Sequence, residues 1–200
     1  MSSGVGSPET DESTGAAAIA SFAPTTTPAV VPGGRLTRKQ RQRLEDAHRV
    51  GAALNMLEHQ GVRVLHDRFM PGSDGTIEHV VIGNDGVTVV RSARLMGRVR
   101  STKSELFIGG ANATVLVTGL QSRVNTVRHL VGGEAEVHGA FALTRRRRDM
   151  LKFHGRIAIG SPRALVDYLE QVHNDSPETA DLTHLAEALE GIFLPTTSLS

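Results

Sequence analysis

The sequence predicts a mixed α/β fold, an α+β sheet flanked by helices, behind a disordered N-terminal tail. Three observations predict it. Leu44, Ala47, Val50, Leu54 and Leu57 recur at three- and four-residue steps, the stripe of an amphipathic helix. "IEHVVIG" and "VTVVRSA" are short and β-branched, and the "NDG" between them tolerates the positive φ of a tight hairpin. After residue 119, helical stripes and buried-looking strands alternate, the pattern of a sheet with helices packed on it.

The elements follow in order. Residues 1–34 are rich in Ser, Thr, Gly, Pro and Ala, and "TTTPAVVPGG" buries too little to offset chain entropy, so a disordered tail is expected. Order should begin near Leu36. Thr37 suits the N-cap of "RKQRQRLEDAHRVGAALNMLEHQ", and Gly61 suits its end. "VRVLHD" alternates like a half-buried strand, and "PGSDG" is turn chemistry. Two weaker strands are expected at "GRVRS" and "ATVLVTG". "LQSRVNTVRHLV" places Val124, Val127, Leu130 and Val131 on one helical face. "AEVHGAFAL" and "GRIAIG" read as buried strands. Ser161 is a cap for "PRALVDYLEQVH", with Pro162 at the first helical position. A last helix is expected in "ETADLTHLAEALEGIF".

Composition narrows the chemistry. The chain has 200 residues and no cysteine, which removes disulfides, thiolate metal sites and a cysteine nucleophile and fits a reducing cytoplasm. No apolar run approaches the roughly 18 residues that span a bilayer, so no membrane role is expected. "GAAAIASFA" follows acids rather than a basic segment, unlike a signal peptide. The net charge of +1 hides an asymmetry: −3 over residues 1–34, +10 over 35–160 and −6 over 161–200. A basic body between acidic ends suits a polyanion partner or a solvated arginine surface.

Residues 61–99, "GVRVLHDRFMPGSDGTIEHVVIGNDGVTVVRSARLMGRV", resemble the NERD (nuclease-related) domain of many bacterial proteins. The shared residues are Leu65-His66-Asp67, Pro71-Gly72, Ile77, His79, Gly83, Gly86-Val87 and Gly97. "LFIGG", "HGAFAL" and "SPRALVDYL" extend the likeness over roughly residues 40–172. The resemblance divides the chain into the tail (1–34), a NERD-like domain (35–172) and an acidic C-terminal helix and tail (173–200). It implies the restriction-endonuclease-like fold with PD-(D/E)xK chemistry. There two acids hold a divalent metal that activates water, and a lysine supports the developing charge.

The chain departs from that pattern at each functional position. Glu78 stands where the family has Asp, Arg91 where it has the second acid, and Ala93 where it has lysine. Glu45 and Asp46 lie near the acid expected in the first helix, but Ala47 occupies the matching turn. Gln121 is a candidate for a family glutamine. Strand alternation places Glu78, Arg91 and Ala93 on one face, and Arg94 and His79 on the other. With a turn at Asn84-Asp85, Glu78 lies opposite Arg91. With a turn at Asp85-Gly86, it lies opposite Ala93 with Arg91 on the diagonal. In either register an ion pair is expected in place of the metal site.

Other signals are weaker. His48, His59, His66, His79, His129, His138 and His154 lack zinc-site spacing, and no metal site is expected. "HGRIAIGSP" lacks the P-loop and dinucleotide fingerprints. Arg38, Lys39, Arg41 and Arg43, with Arg145, Arg146, Arg147 and Arg148, are candidates for phosphate contact. The arginine run could equally dock the chain's own acidic tail. No aromatic interleaving offers a stacking platform. The leading expectation is an inactive nuclease-related domain that needs no cofactor and binds DNA, RNA or a protein. One alternative is an active nuclease using Glu78 with Mg2+ or Mn2+. The other is a protein-partner scaffold without nucleic acid.

Overall fold

The computed structural model describes residues 37–72, 75–146, 148–177 and 182–196. The expected tail, Arg147 and the start of the last expected helix lie outside them.

Helix α1 (Arg38–Leu54) begins at the expected cap. The Gln40 amide donates to Thr37 Oγ1 at 3.2 Å, and the Thr37 amide donates to the Gln40 side chain at 2.8 Å. This reciprocal capping box satisfies two otherwise unpaired N–H groups. A 3-10 segment (Asn55–Gln60) continues the helix, and Gly61, at φ 84°, ends it.

The main sheet orders its strands β1 (Arg63–Phe69), β2 (Thr76–Gly83), β3 (Gly86–Ala93), β7 (Val137–Leu143), β9 (Ile157–Gly160) and β8 (Leu151–His154). The first three are antiparallel, β3, β7 and β9 are parallel, and β8 is antiparallel to β9. A small sheet holds β4 (Val99–Ser101), β5 (Leu106–Ile108) and β6 (Ala111–Asn112). The other helices are α2 (Thr114–Val131), α3 (Pro162–Asp175) and α4 (Leu182–Ile192). Ser161 caps α3 as expected, its Oγ accepting from the Ala164 amide at 3.3 Å.

The sheet is buried on both faces. Ile82, Val87, Val89 and Phe141 pack with Leu120 and Val124 of α2 and Leu189 of α4. Val81, Val90 and Ala140 pack with Val50 and Leu54 of α1 and Leu165 of α3. Each fully buried side chain of this kind contributes roughly 1.5–3 kcal/mol. Gly83 pairs with Gly86 across a turn at Asn84-Asp85. Gly86 has φ 113°, and an added Cβ would lie 2.2 Å from the Glu136 carbonyl oxygen, so no side chain fits there.

Several segments differ from the sequence reading, including β5 and β6, which it did not expect. "ATVLVTG" is not a strand: α2 already starts at Thr114, whose amide donates to Asn112 Oδ1 at 2.9 Å. Its β-branched residues favour a strand locally, but Leu116 and Val117 pack against the cluster that holds Leu120 and Val124, and packing on the sheet decides. "LKFH" (β8) forms a short hairpin with β9 across Gly155, at φ 56°. The acidic helix α4 packs on the core through Leu185, Ala186 and Leu189. Beyond it, the Phe69 amide donates to the Leu194 carbonyl at 2.9 Å and Pro195 bridges to Arg68, covering the outer edge of β1. Among the described residues no helix is long and apolar enough to cross a membrane.

Candidate functional site

The β2–β3 register selects the first of the two alternatives. His79 pairs with Val90 and Gly83 with Gly86, which puts Glu78 opposite Arg91. Arg91 Nε lies 3.6 Å from Glu78 Oε1, an ion pair too long for an ordinary hydrogen bond. Glu78 Oε2 accepts two short bonds from Ser92, one from its amide and one from its hydroxyl, both 2.6 Å. Arg91 and Glu78 side chains are 27% and 26% exposed. Ala93 is buried, so no charge stands at the family's lysine position.

A second guanidinium, unforeseen from sequence, joins this group. Arg123 Nε donates to the Thr76 carbonyl at 3.0 Å, and its NH1 donates to the Gly119 carbonyl at 2.8 Å. Burial pushes the Arg123 pKa below its ordinary value, Arg91 pushes it further, and Glu78 opposes. An added Cβ at Gly119 would lie 3.6 Å from Arg91 NH1 and 3.9 Å from Arg123 NH1, so both guanidiniums flank that glycine. The only hint in the sequence is that Gly119 and Arg123 are four residues apart, hence neighbours on one helix face.

The helix acids serve elsewhere. Asp46, one residue before the expected position, is buried, and its Oδ2 lies 3.5 Å from Arg94 NH1. Arg94 thus points to the α1 side, away from Arg91, as alternation requires. Ala47 is buried and Glu45 is exposed. Gln121 Nε2 donates to Asn125 Oδ1 at 3.2 Å. It lines a cleft of about 240 Å³ with Arg128, His138 and Arg156, by the start of β7 and away from Arg91.

Behind the sheet, His79 faces α1 as expected. His66 and His79 are partners on β1 and β2, and their Nδ1 atoms lie 2.8 Å apart with the rings at 81°. His66 Nε2 lies 2.6 Å from Asn55 Oδ1. Burial pushes the His79 pKa down to about 3, with His66 adding to the effect and the Ala47 backbone opposing it. The His66 pKa is also lowered, mainly by burial. Gly51 makes room: an added Cβ would lie 3.2 Å from the His79 ring and 3.3 Å from the His66 ring.

The basic candidates divide by role. Arg38, Lys39, Arg41 and Arg43 are exposed along the first turns of α1, as are Arg145 and Arg148 after β7. Arg49 NH1 donates to the Thr144 carbonyl at 3.4 Å, so that loop lies beside α1. Arg146 is half-buried and donates to the Gly97 carbonyl, a structural commitment. In the acidic α4, Glu190 Oε1 pairs with Arg63 Nε at 2.8 Å, on β1.

The metal chemistry implied by the resemblance does not fit these donors. Glu78 is already hydrogen-bonded by Ser92 and ion-paired with Arg91, which stands where a divalent ion would need a second acid, with Arg123 beside it. Among the described residues no group of three His, Asp or Glu side chains is placed to hold a metal ion.

No curated protein and no solved structure matches the chain. The model of one family, the nuclease-related domain, matches residues 42–139, from within α1 to within β7. Residues 42–139 thus match the NERD family, and the mixed sheet with its flanking helices is consistent with the restriction-endonuclease-like fold that this likeness implies.

Proposed function

We propose that this NERD domain binds nucleic acid through its basic side and does not cleave it. The observation that carries the reading is the position of Arg91. Its guanidinium pairs with Glu78 where a nuclease of this pattern needs a second carboxylate. A cation there repels a divalent metal, and a single, already bonded carboxylate binds Mg2+ poorly.

The basic helix supports the binding half of the reading. Arg38, Lys39 and Arg41 open α1, and no acid lies in its first turn. Cations at a helix N-terminus oppose the macrodipole and cost roughly 0.3–1 kcal/mol each at low salt. A phosphate backbone laid along α1 and the neighbouring loop would offset that cost at Arg38, Lys39, Arg41, Arg43, Arg145 and Arg148. These cations are exposed, lie on adjoining elements and need no induced change.

The test is incubation with plasmid and with oligonucleotides of DNA and RNA, with Mg2+ or Mn2+, followed by a salt titration of binding. Binding without cleavage is expected, with log K falling against log salt at a slope of up to about −5 if all six cations meet phosphates. Metal-dependent cleavage abolished by Glu78→Ala would establish the active nuclease instead. No binding at low salt would leave the protein-partner scaffold.

A further inference from the structure

Charge is unbalanced at the position of the family's metal site. Arg91 and Arg123 flank Gly119 with Glu78 as their shared counter-charge. Glu78 is not fully available to them, because its Oε2 is taken by the Ser92 amide and hydroxyl at 2.6 Å. Arg123 is held by two backbone carbonyls, those of Thr76 and Gly119. Carbonyls fix a guanidinium in place without cancelling its charge. A half-buried cation without a matching anion is costly, and a guanidinium has five N–H donors, two of which these bonds use. Gly119 places no side chain beside the two arginines, where an added Cβ would touch both guanidiniums at 3.6 and 3.9 Å.

We propose that Arg91 and Arg123 form a metal-free receptor for one backbone phosphodiester of the bound nucleic acid, with Glu78 as its internal competitor. The proposal rests on the nucleic-acid reading above and adds to it a contact on the face of the sheet opposite α1. The two guanidiniums supply positive charge where a nuclease would place a metal and a lysine. They also present planar forks that match phosphate oxygens. They supply no activated water, so the phosphodiester is held and left intact. When it enters, Arg91 exchanges a 3.6 Å ion pair for direct bonds to phosphate. Glu78 keeps its two bonds from Ser92 throughout.

The experiment measures binding of a 20-nucleotide oligomer in buffer containing EDTA, across a salt series. Arg123→Gln should weaken binding about eightfold at 0.1 M salt and reduce the salt slope by about 0.9, the loss of one phosphate contact. Glu78→Gln should tighten binding severalfold without added metal. Misfolding cannot produce that gain, so this variant keeps the test sound even if Arg123→Gln is unstable. Wild-type binding with an unchanged slope in Arg123→Gln, or weaker binding in Glu78→Gln, would overturn the receptor while leaving the wider reading intact. If the wild type binds no oligomer, the wider reading fails instead. Titration with inorganic phosphate, followed by NMR of the arginine Nε–H signals, then decides the site. Joint shifts of Arg91 and Arg123 support the receptor, and no shift overturns it.

Discussion

Glu78 and His79 are neighbours on β2 and face opposite sides of the sheet, and the two sides differ in kind. Behind, His79 meets His66 ring to ring under Gly51, where an added Cβ would crowd both rings at 3.2–3.3 Å. In front, Glu78 meets Arg91 and Ser92 in a half-exposed setting beside Arg123. The rear residues belong to the family pattern and are locked by packing, so exchanging one leaves a hole or an unpaired buried nitrogen. The front residues depart from the pattern and sit where water can take over a lost bond, so exchange there is cheap. The packed face therefore follows the nuclease-related pattern, while the half-exposed face is where this sequence departs from it.

The contrast breaks first, and by the largest amount, at His79. His79→Ala removes a buried ring and strands His66 Nδ1, and should cost about 3 kcal/mol in a urea melt. Arg91→Ala in front should cost less than about 1 kcal/mol, since half-exposed ion pairs contribute little. Equal costs would remove the distinction between the faces.

Acidity attacks the same rear face. His79 has a pKa of about 3 when folded against 6.5 for the free side chain, so the unfolded chain binds more protons between these values. Its contribution to stability is therefore complete above pH 6.5 and is lost as pH falls toward 3. By pH 5 the loss should be about 2 kcal/mol, with His66 adding to it in the same direction. Geometry gives the reason: with the Nδ1 atoms 2.8 Å apart, only one proton fits between the rings. Urea melts at pH 7, 6 and 5 check this, and His79→Leu should flatten most of the slope. An unchanged slope in that variant would place the acid sensitivity elsewhere.

What can be read from sequence follows the same division. The capping box at Thr37, the turn at Asn84-Asp85 and the cap at Ser161 are local chemistry, visible in a few residues. The opposition of Glu78 and Arg91 needs only period two and the correct turn. "ATVLVTG" misleads because its β-branched residues carry a local strand preference that packing on the sheet overrides. β8 escapes notice because four residues after an arginine run carry no pattern of their own. Arg123 and Ser92 are hidden at the site for a different reason. Their roles depend on how α2 crosses β3 and on a carboxylate reaching a neighbouring strand, and neither is encoded in spacing. Asp46 stands out in the sequence, but its partner Arg94 lies 48 residues away.

The front face offers the smallest effect and the sharpest test of the proposed replacement of the metal site. Arg91→Glu with Ala93→Lys restores the acid and the lysine at the family's positions, and the register sets the new carboxylate directly opposite Glu78. Two carboxylates across a strand pair are the minimum for a divalent ion, but Arg123 still flanks the site and its charge opposes the metal. The double variant should therefore bind Mn2+ weakly, and adding Arg123→Gln should strengthen binding. With Mn2+ at about ten times its dissociation constant, the triple variant should gain about 1.4 kcal/mol against unfolding. The wild type should gain nothing, because Arg91 then occupies the ion's place. Thermal melts with and without Mn2+ measure all three proteins. If the double variant binds Mn2+ as well as the triple, Arg123 does not govern the charge of this site. The receptor proposed for Arg91 and Arg123 would then lose its second member.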